Sequence, residues 1–396
     1  MSERLDLSSC RIAACVAIAL AIGVVSEAAH GRVFKVGPGQ TYARPSEVAK
    51  IAKDGDVVEI AAGVYRGDVA VWRQNHLTLR GVGGRAHLAS DGRAADGKAI
   101  WVIKGQDTTV AHIEFSGATV PDGNGAGIRP EGSGLVIRDC YFHDNENGIL
   151  GGAGDIVIER SEFFRNGSGD GRTHNIYIGD RVHRFTLRYS YSHGARIGHN
   201  VKSRARENHI EYNRIMDEVD GRASYIIDMP NGGTAYVIGN LIQQGPQAEN
   251  LTIVSYGAEG LIRKRNEIYF INNTVVNDAP NGTFVRVADG TRRTAVVNNL
   301  FVGPGHRIDG KVDARHNLSR NDAGLIDREH YDYRLTAASP AIDAGIDPGE
   351  GNGVALMPRM EYRHPMHAQA RPSHGRLDVG AYEFDPKNAR MPNARP

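Results

Sequence analysis

The sequence predicts an all-β solenoid, a chain of short strands wound into stacked coils. Three observations carry that prediction. Short segments of alternating apolar and polar residues recur along nearly the whole chain. Their spacing is close to two dozen residues, the period of a strand-built repeat. Glycine is plentiful, 48 of 396 residues or about 12% against a usual roughly 7%, with only 16 prolines, as a fold of many tight turns requires.

The chain opens with a segment unlike the rest. Arg4 and Arg11 precede an uncharged apolar run from Ile12 to Val25, and Ser26, Glu27 and Ala28 follow it. The run is short of the roughly 20 residues a membrane helix needs, so residues 1–28 read as a signal peptide or N-terminal hydrophobic anchor. Glu3 and Asp6 dilute its positive start. An exported protein is expected, periplasmic, extracellular or at the cell surface, with no membrane contact beyond this segment. Of the three cysteines, Cys10 and Cys15 lie within it, and its removal leaves Cys140 alone. A disulfide scaffold is therefore excluded.

Residues 29–302 carry the repeat. Its segments include 110–115 (VAHIEF), 137–142 (IRDCYF), 158–163 (IERSEF), 187–192 (LRYSYS), 210–215 (IEYNRI), 237–242 (VIGNLI), 270–275 (FINNTV) and 296–301 (VVNNLF). The fourth positions are Ile113, Cys140, Ser161, Ser190, Asn213, Asn240, Asn273 and Asn299. Each stands about one solenoid repeat, on the order of two dozen residues, from the next. No segment holds a sustained 3.6-residue apolar stripe, and a propeller blade needs roughly 40 residues, so helical repeats and propellers are disfavoured. Four asparagines share one register from Asn213 to Asn299. In coils stacked about 4.8 Å apart they are expected to form a hydrogen-bonded ladder.

This pattern resembles the right-handed parallel β-helix family, the fold of pectate-lyase-like proteins, over roughly residues 33–340. Residues 54–67 (DGDVVEIAAGVYRG) are similar to its opening coil, and Ser46 to Lys53 are expected to form a short helix that caps the apolar end. Residues 339–345 (SPAIDAG) and 378–383 (DVGAYE) resemble terminal motifs of bacterial β-helix proteins. Residues 303–385 thus read as the last coils and a C-terminal cap, and 386–396 as a flexible tail. The resemblance implies a long grooved sheet suited to an extended polymer, and so a polysaccharide partner.

The unusual chemistry falls in four consecutive segments, 173–179 (THNIYIG), 198–205 (GHNVKSRA), 224–233 (SYIIDMPNGG) and 251–257 (LTIVSYG). The first two share a His-Asn pair, at 174–175 and again at 199–200, about one coil apart. In register, His174 stacks on His199, Asn175 on Asn200 and Tyr177 on Lys202. Strand alternation then places Asn175, Tyr177, Asn200, Lys202, Arg204 and Tyr225 on one outward face, with Ile176, Val201 and Ile226 toward the core. The two histidines are expected at the strand edge, within reach of the groove. Asp228, Ser203 and Ser255 are expected at equivalent register positions.

Such a face has the parts for β-elimination on an acidic sugar. The uronate carboxylate must be neutralised so that the C5 proton becomes acidic, a base must take that proton, and a donor must protonate the leaving oxygen. Lys202, beside the cationic Arg204, is the expected base and Tyr177 the expected acid; His199 and His174 are further catalytic candidates. Asn200 and Arg204 are expected to hold the carboxylate, and Asn175, Tyr225 and Asp228 to contact substrate.

Residues 200–203 (NVKS) also resemble the lysine-bearing strand of β-helical alginate lyases, which implies a catalytic lysine paired with a catalytic arginine, and calcium-binding acids ahead of the lysine. Here residues 195–199 (ARIGH) precede it, and positions 227 and 228 hold Ile and Asp, not Arg. Calcium is the one cofactor left open, although Asp144 to Glu146 and Asp217 to Asp220 match no calcium-loop signature. No metal ligand set is expected: His174, His183, His193 and His199 form no His-x-x-x-His pair and have no cysteine partner.

With 47 basic and 46 acidic residues the formal charge is +1, which argues against a dedicated nucleic-acid binder. The expected activity is that of a polysaccharide lyase, acting as a monomer on a uronate-containing polymer. A non-catalytic glycan-binding or scaffold β-helix and a uronan C5-epimerase are the alternatives. The paired aspartates of β-helical polygalacturonases are missing, which disfavours hydrolysis, although Asp217, Glu218, Asp220 and Asp228 supply carboxylates.

Overall fold

The computed structural model describes residues 31–387; the expected signal segment and most of the expected tail lie outside them. The described chain is a parallel β-helix of about ten coils, as the repeat predicts. Three stacks of parallel strands form its faces. The first runs through ten strands from Ala70–Trp72 to His306–Asp309 and includes Val201–Ser203, Ile227–Met229 and Thr252–Tyr256. The second includes Glu207–Glu211, Thr234–Ile238 and Glu267–Ile271. The third includes Tyr141–His143, Glu162–Phe164, Tyr191–His193 and Arg214–Met216.

The corner between the second and third faces explains the repeated motif. One residue there takes a left-handed backbone in coil after coil: His112, Asp139, Arg160, Tyr189, Tyr212, Asn272, Asn298 and His316, with Gly239 at the equivalent place. Such a conformation is uphill for a side-chain-bearing residue by roughly 1–2 kcal/mol and must be held by its surroundings. The next residue supplies the hold. Both the backbone N–H and Nδ2 of Asn213 donate to Asn240 Oδ1 at 3.0 Å, and Asn240 does the same to Asn273. Asn273 continues to Asn299, and Asn299 to Asn317. The expected ladder is present and is one rung longer at its C-terminal end.

The interior is apolar and stacks coil on coil. Phe115, Phe142 and Phe163 lie one above another, with centroids 4.9 and 4.8 Å apart and rings within 12° of parallel. Trp72 and Trp101 extend this column edge to face. The capping helix forms at Pro45–Ala49, with Pro45 in its first turn, where a missing N–H is harmless; Val48 and Ala49 cover the open end of the core.

The C-terminal segment does more than close the last coil. After the final solenoid strand, Leu318–Arg320, it forms three small antiparallel pairs. These fold back along the outside of earlier coils. Tyr333, Tyr362 and Tyr382 pack with Tyr191, Met216 and Leu241. Tyr236 donates its hydroxyl to Gly351 O at 3.1 Å, and Asn272 Nδ2 donates to Asp378 O at 2.9 Å. The segment thereby covers exposed sheet that a cap at the terminus alone would leave bare.

Candidate active site

The first face carries one outward column of register partners: Tyr177, Lys202, Asp228, Ser255 and Arg286 on successive coils. The expected pairing of Tyr177 with Lys202 is present. The expected equivalence of Asp228 and Ser203 is not: Asp228 lies beside Lys202, and Ser203 pairs with the buried Ile178. Asp228 therefore faces the site with the lysine, and Ser203 turns inward to Asn208.

Lys202 sits between two carboxylates. Its Nζ is 3.8 Å from Asp228 Oδ2 and 3.5 Å from Glu259 Oε1, and its side chain is only 13% exposed. Arg204, two residues along the chain, turns to other partners. Its Nε donates to the Tyr177 hydroxyl at 2.9 Å, its Nη1 to Asn231 Oδ1, and both terminal nitrogens reach Glu259 at 2.7 and 3.0 Å. The guanidinium is held still more firmly cationic by these hydrogen bonds. Lys202 thus faces carboxylates rather than the arginine. Asp228 is pushed up to about 6, mainly because burial disfavours its charge.

The two histidines stack as expected, with centroids 4.6 Å apart, but their hydrogen bonds decide their chemistry. His174 Nδ1 accepts the His199 backbone N–H at 3.0 Å, and His199 Nδ1 accepts the Tyr225 N–H at 3.2 Å. With Nδ1 an acceptor in both, the proton of each neutral ring sits on Nε2. His199 Nε2 lies 3.5 Å from Asp228 Oδ2. Burial, then the charge of Lys202, pushes His199 down to about 3, and burial also drives His174 well down. Neither ring has a free basic nitrogen. His199 alone of the two reaches Asp228; His174 lies behind it, against the His199 ring.

Asn175 and Asn200 are the clearest correction. Both are fully buried and do not face the groove. They belong to a second asparagine ladder, at the corner leading into the first face. Asn145 donates to Asn166, Asn166 to Asn175, and Asn175 to Asn200 Oδ1 at 2.9 Å. The chain bends at this corner, so the alternation of the following strand cannot be extended back through it. Tyr225 lies opposite His199, with ring centroids 5.1 Å apart, and half-buried rather than in line with Lys202. Ile176, Val201 and Ile226 are in the core as expected.

Two participants come from loops. Asn231 follows the strand Ile227–Met229, and Glu259 follows Thr252–Tyr256. The second loop is tied across the face by Arg263, which donates to Asp180 O at 3.1 Å and to Arg204 O. Beside Tyr177 and Arg204 opens a groove of about 860 Å³, edged by Arg129, Arg181 and Leu150. Three arginines, Arg129, Arg181 and Arg204, line it beside the acidic Glu131 and Asp180. A calcium ion takes six to eight oxygens. The site offers Asp228, Glu259 and Asn231, with two cations already against the carboxylates, and does not form a calcium cage.

No protein-family model matches the sequence, and no curated protein matches it either. Among solved structures the fold is similar to that of pectate lyase Pel9A, with a TM-score of 0.59 and 14% identity over 89% of this chain and 96% of that one. A mutant pectin methylesterase in complex with a hexasaccharide aligns with a TM-score of 0.30 and 12% identity over 70% of this chain and 80% of that one. The first likeness is one of fold, a pectate-lyase-like parallel β-helix; the second carries no argument.

Proposed function

We propose that this chain is an exported carbohydrate-active protein, a polysaccharide lyase that cleaves a uronate-containing polymer by β-elimination. The observation that carries the reading is the convergence of Tyr177, Lys202 and Arg204 beside an open groove edged by Arg129 and Arg181. The polymer lies along the groove. Arg204 neutralises the uronate carboxylate and so acidifies the C5 proton. Lys202 passes a proton to Asp228, 3.8 Å away, and the resulting amine takes the C5 proton. The C5 electron pair forms the C4–C5 double bond, and the bond from C4 to the glycosidic oxygen breaks. Tyr177 gives its proton to the leaving oxygen. Its hydroxyl oxygen already accepts from Arg204, which leaves the O–H free to donate.

A pure binding module would present a row of exposed aromatics. The exposed large hydrophobic residues among those described are all aliphatic, which favours the enzyme. The test is ultraviolet absorbance of the conjugated product with alginate, pectate and hyaluronan, with and without calcium. A signal that falls at least ~100-fold in Lys202→Ala, with thermal stability kept, supports the lyase and its base. Silence on every uronan sinks it and leaves glycan binding.

A further inference from the structure

The third face holds a cluster that the proposed elimination does not use. Three successive coils bring together His87, Glu114 and His143. His87 Nδ1 is 3.3 Å from Glu114 Oε1, and His143 Nε2 is 3.2 Å from the same oxygen. All three donor atoms lie within 4.8 Å of one another. Two ligands bound about 2.1 Å from a zinc ion at the tetrahedral angle stand about 3.4 Å apart. Octahedral ligands at that bond length would stand about 3.0 Å apart. The 3.3 Å edge is nearer the tetrahedral value, and the 3.2 Å edge lies midway between the two; the donor set, two imidazoles and one carboxylate, is the one zinc prefers.

The remaining nitrogens are also accounted for. His87 Nε2 lies 2.7 Å from Ser116 Oγ, and His143 Nδ1 lies 2.8 Å from Asp144 Oδ2. Asp144 is itself held by Arg165 at 3.1 Å and Arg196 at 2.6 Å. Tyr141 stacks on the His143 ring at 4.5 Å. Metal-binding histidines are oriented in this way, by a carboxylate or hydroxyl on the far nitrogen. The three side chains are 19–25% exposed, so an ion can reach them and a fourth position remains for a solvent or ligand oxygen.

We propose that His87, Glu114 and His143 form a zinc site, a two-histidine, one-carboxylate set with an open fourth position, which staples three coils together. Each ligand follows the previous one in sequence by the length of one coil. The site stands on a different face from Lys202 and is independent of the lyase reading.

The test is calorimetric titration of chelator-stripped full-length protein with zinc chloride, beside His143→Ala and the isosteric Glu114→Gln. The expected result is one zinc per chain, with affinity reduced at least tenfold in both variants while circular dichroism stays unchanged. Should His143→Ala fail to fold, Glu114→Gln alone decides. Absence of zinc binding by the parent protein, or undiminished single-site binding in a folded Glu114→Gln, overturns the proposal.

Discussion

Arg204 and Glu259 form a forked ion pair, Nη1 to Oε2 at 2.7 Å and Nη2 to Oε1 at 3.0 Å, and Arg204 also lines the groove. The same carboxylate also reaches Lys202. Glu259 is 49% exposed and sits on a loop, whereas the Arg204 side chain is 19% exposed. In the proposed elimination a uronate carboxylate would take the place of Glu259 on Arg204.

Glu259 is therefore expected to compete with substrate. Glu259→Gln should lower KM about threefold or more, with kcat little changed, because it removes a charge that substrate must displace. Arg204→Lys should raise KM and not restore activity, since an ammonium cannot span both oxygens. Steady-state kinetics on whichever uronan is cleaved decides both.

His199 supplies no limb to a pH–activity profile. Its Nδ1 is occupied by the Tyr225 amide, and its pKa is pushed down to about 3. His199→Gln should lower kcat by loosening Asp228, yet leave the inflections between pH 5 and 9 where they are. Loss of an inflection in the variant would make His199 a proton carrier and refute the positioning role.

Asp217 closes the second asparagine ladder, accepting from the Ala223 N–H at 3.2 Å and from Asn200 at 3.4 Å. Burial raises its carboxyl from 3.8 to about 7. The folded state thus holds a proton that the unfolded state has released. The contribution of Asp217 to stability therefore falls as pH rises from about 4 to about 7 and then levels. Asp217→Asn should remove that fall, so its melting temperature gains on the parent's across this window. Asp228 adds a smaller loss, up to about 6, that persists in the variant. Parallel melting curves at pH 4 and pH 7 would contradict the assignment.

Asn240 tests the first ladder. Its Oδ1 accepts two donors of Asn213, and its Nδ2 donates to Ile210 O at 2.7 Å and to Asn273. Asn240→Ala leaves several buried polar groups unpaired and should cost about 3 kcal/mol or more. A lower denaturant midpoint at unchanged slope is the expected readout.

Much of this architecture is legible in the sequence because a solenoid converts periodicity into contact. Tyr177 meets Lys202, and His174 meets His199, because the separation within each pair is the length of one coil. The Asn213-to-Asn299 ladder is visible for the same reason. Asn175 and Asn200 mislead because a corner lies between them and the strand that follows, and alternation holds only within a strand. The zinc candidate escapes notice because zinc signatures assume ligands one helical turn or one knuckle apart. His87, Glu114 and His143 are spaced by the coil.

By itself, then, the sequence determined the coil, its pitch, its asparagine corners and the column that bears Tyr177 and Lys202. All are neighbours one period apart, and the stacking of identical backbones enforces them. Tertiary structure alone decided the rest. Glu259 and Asn231 arrive on aperiodic loops, and backbone N–H groups occupy the Nδ1 atoms of His174 and His199. The C-terminal segment came to rest along the coils from Tyr191 to Leu300 because apolar surface there was left to cover. Those placements depend on side-chain reach and burial across the fold, which no repeat length encodes.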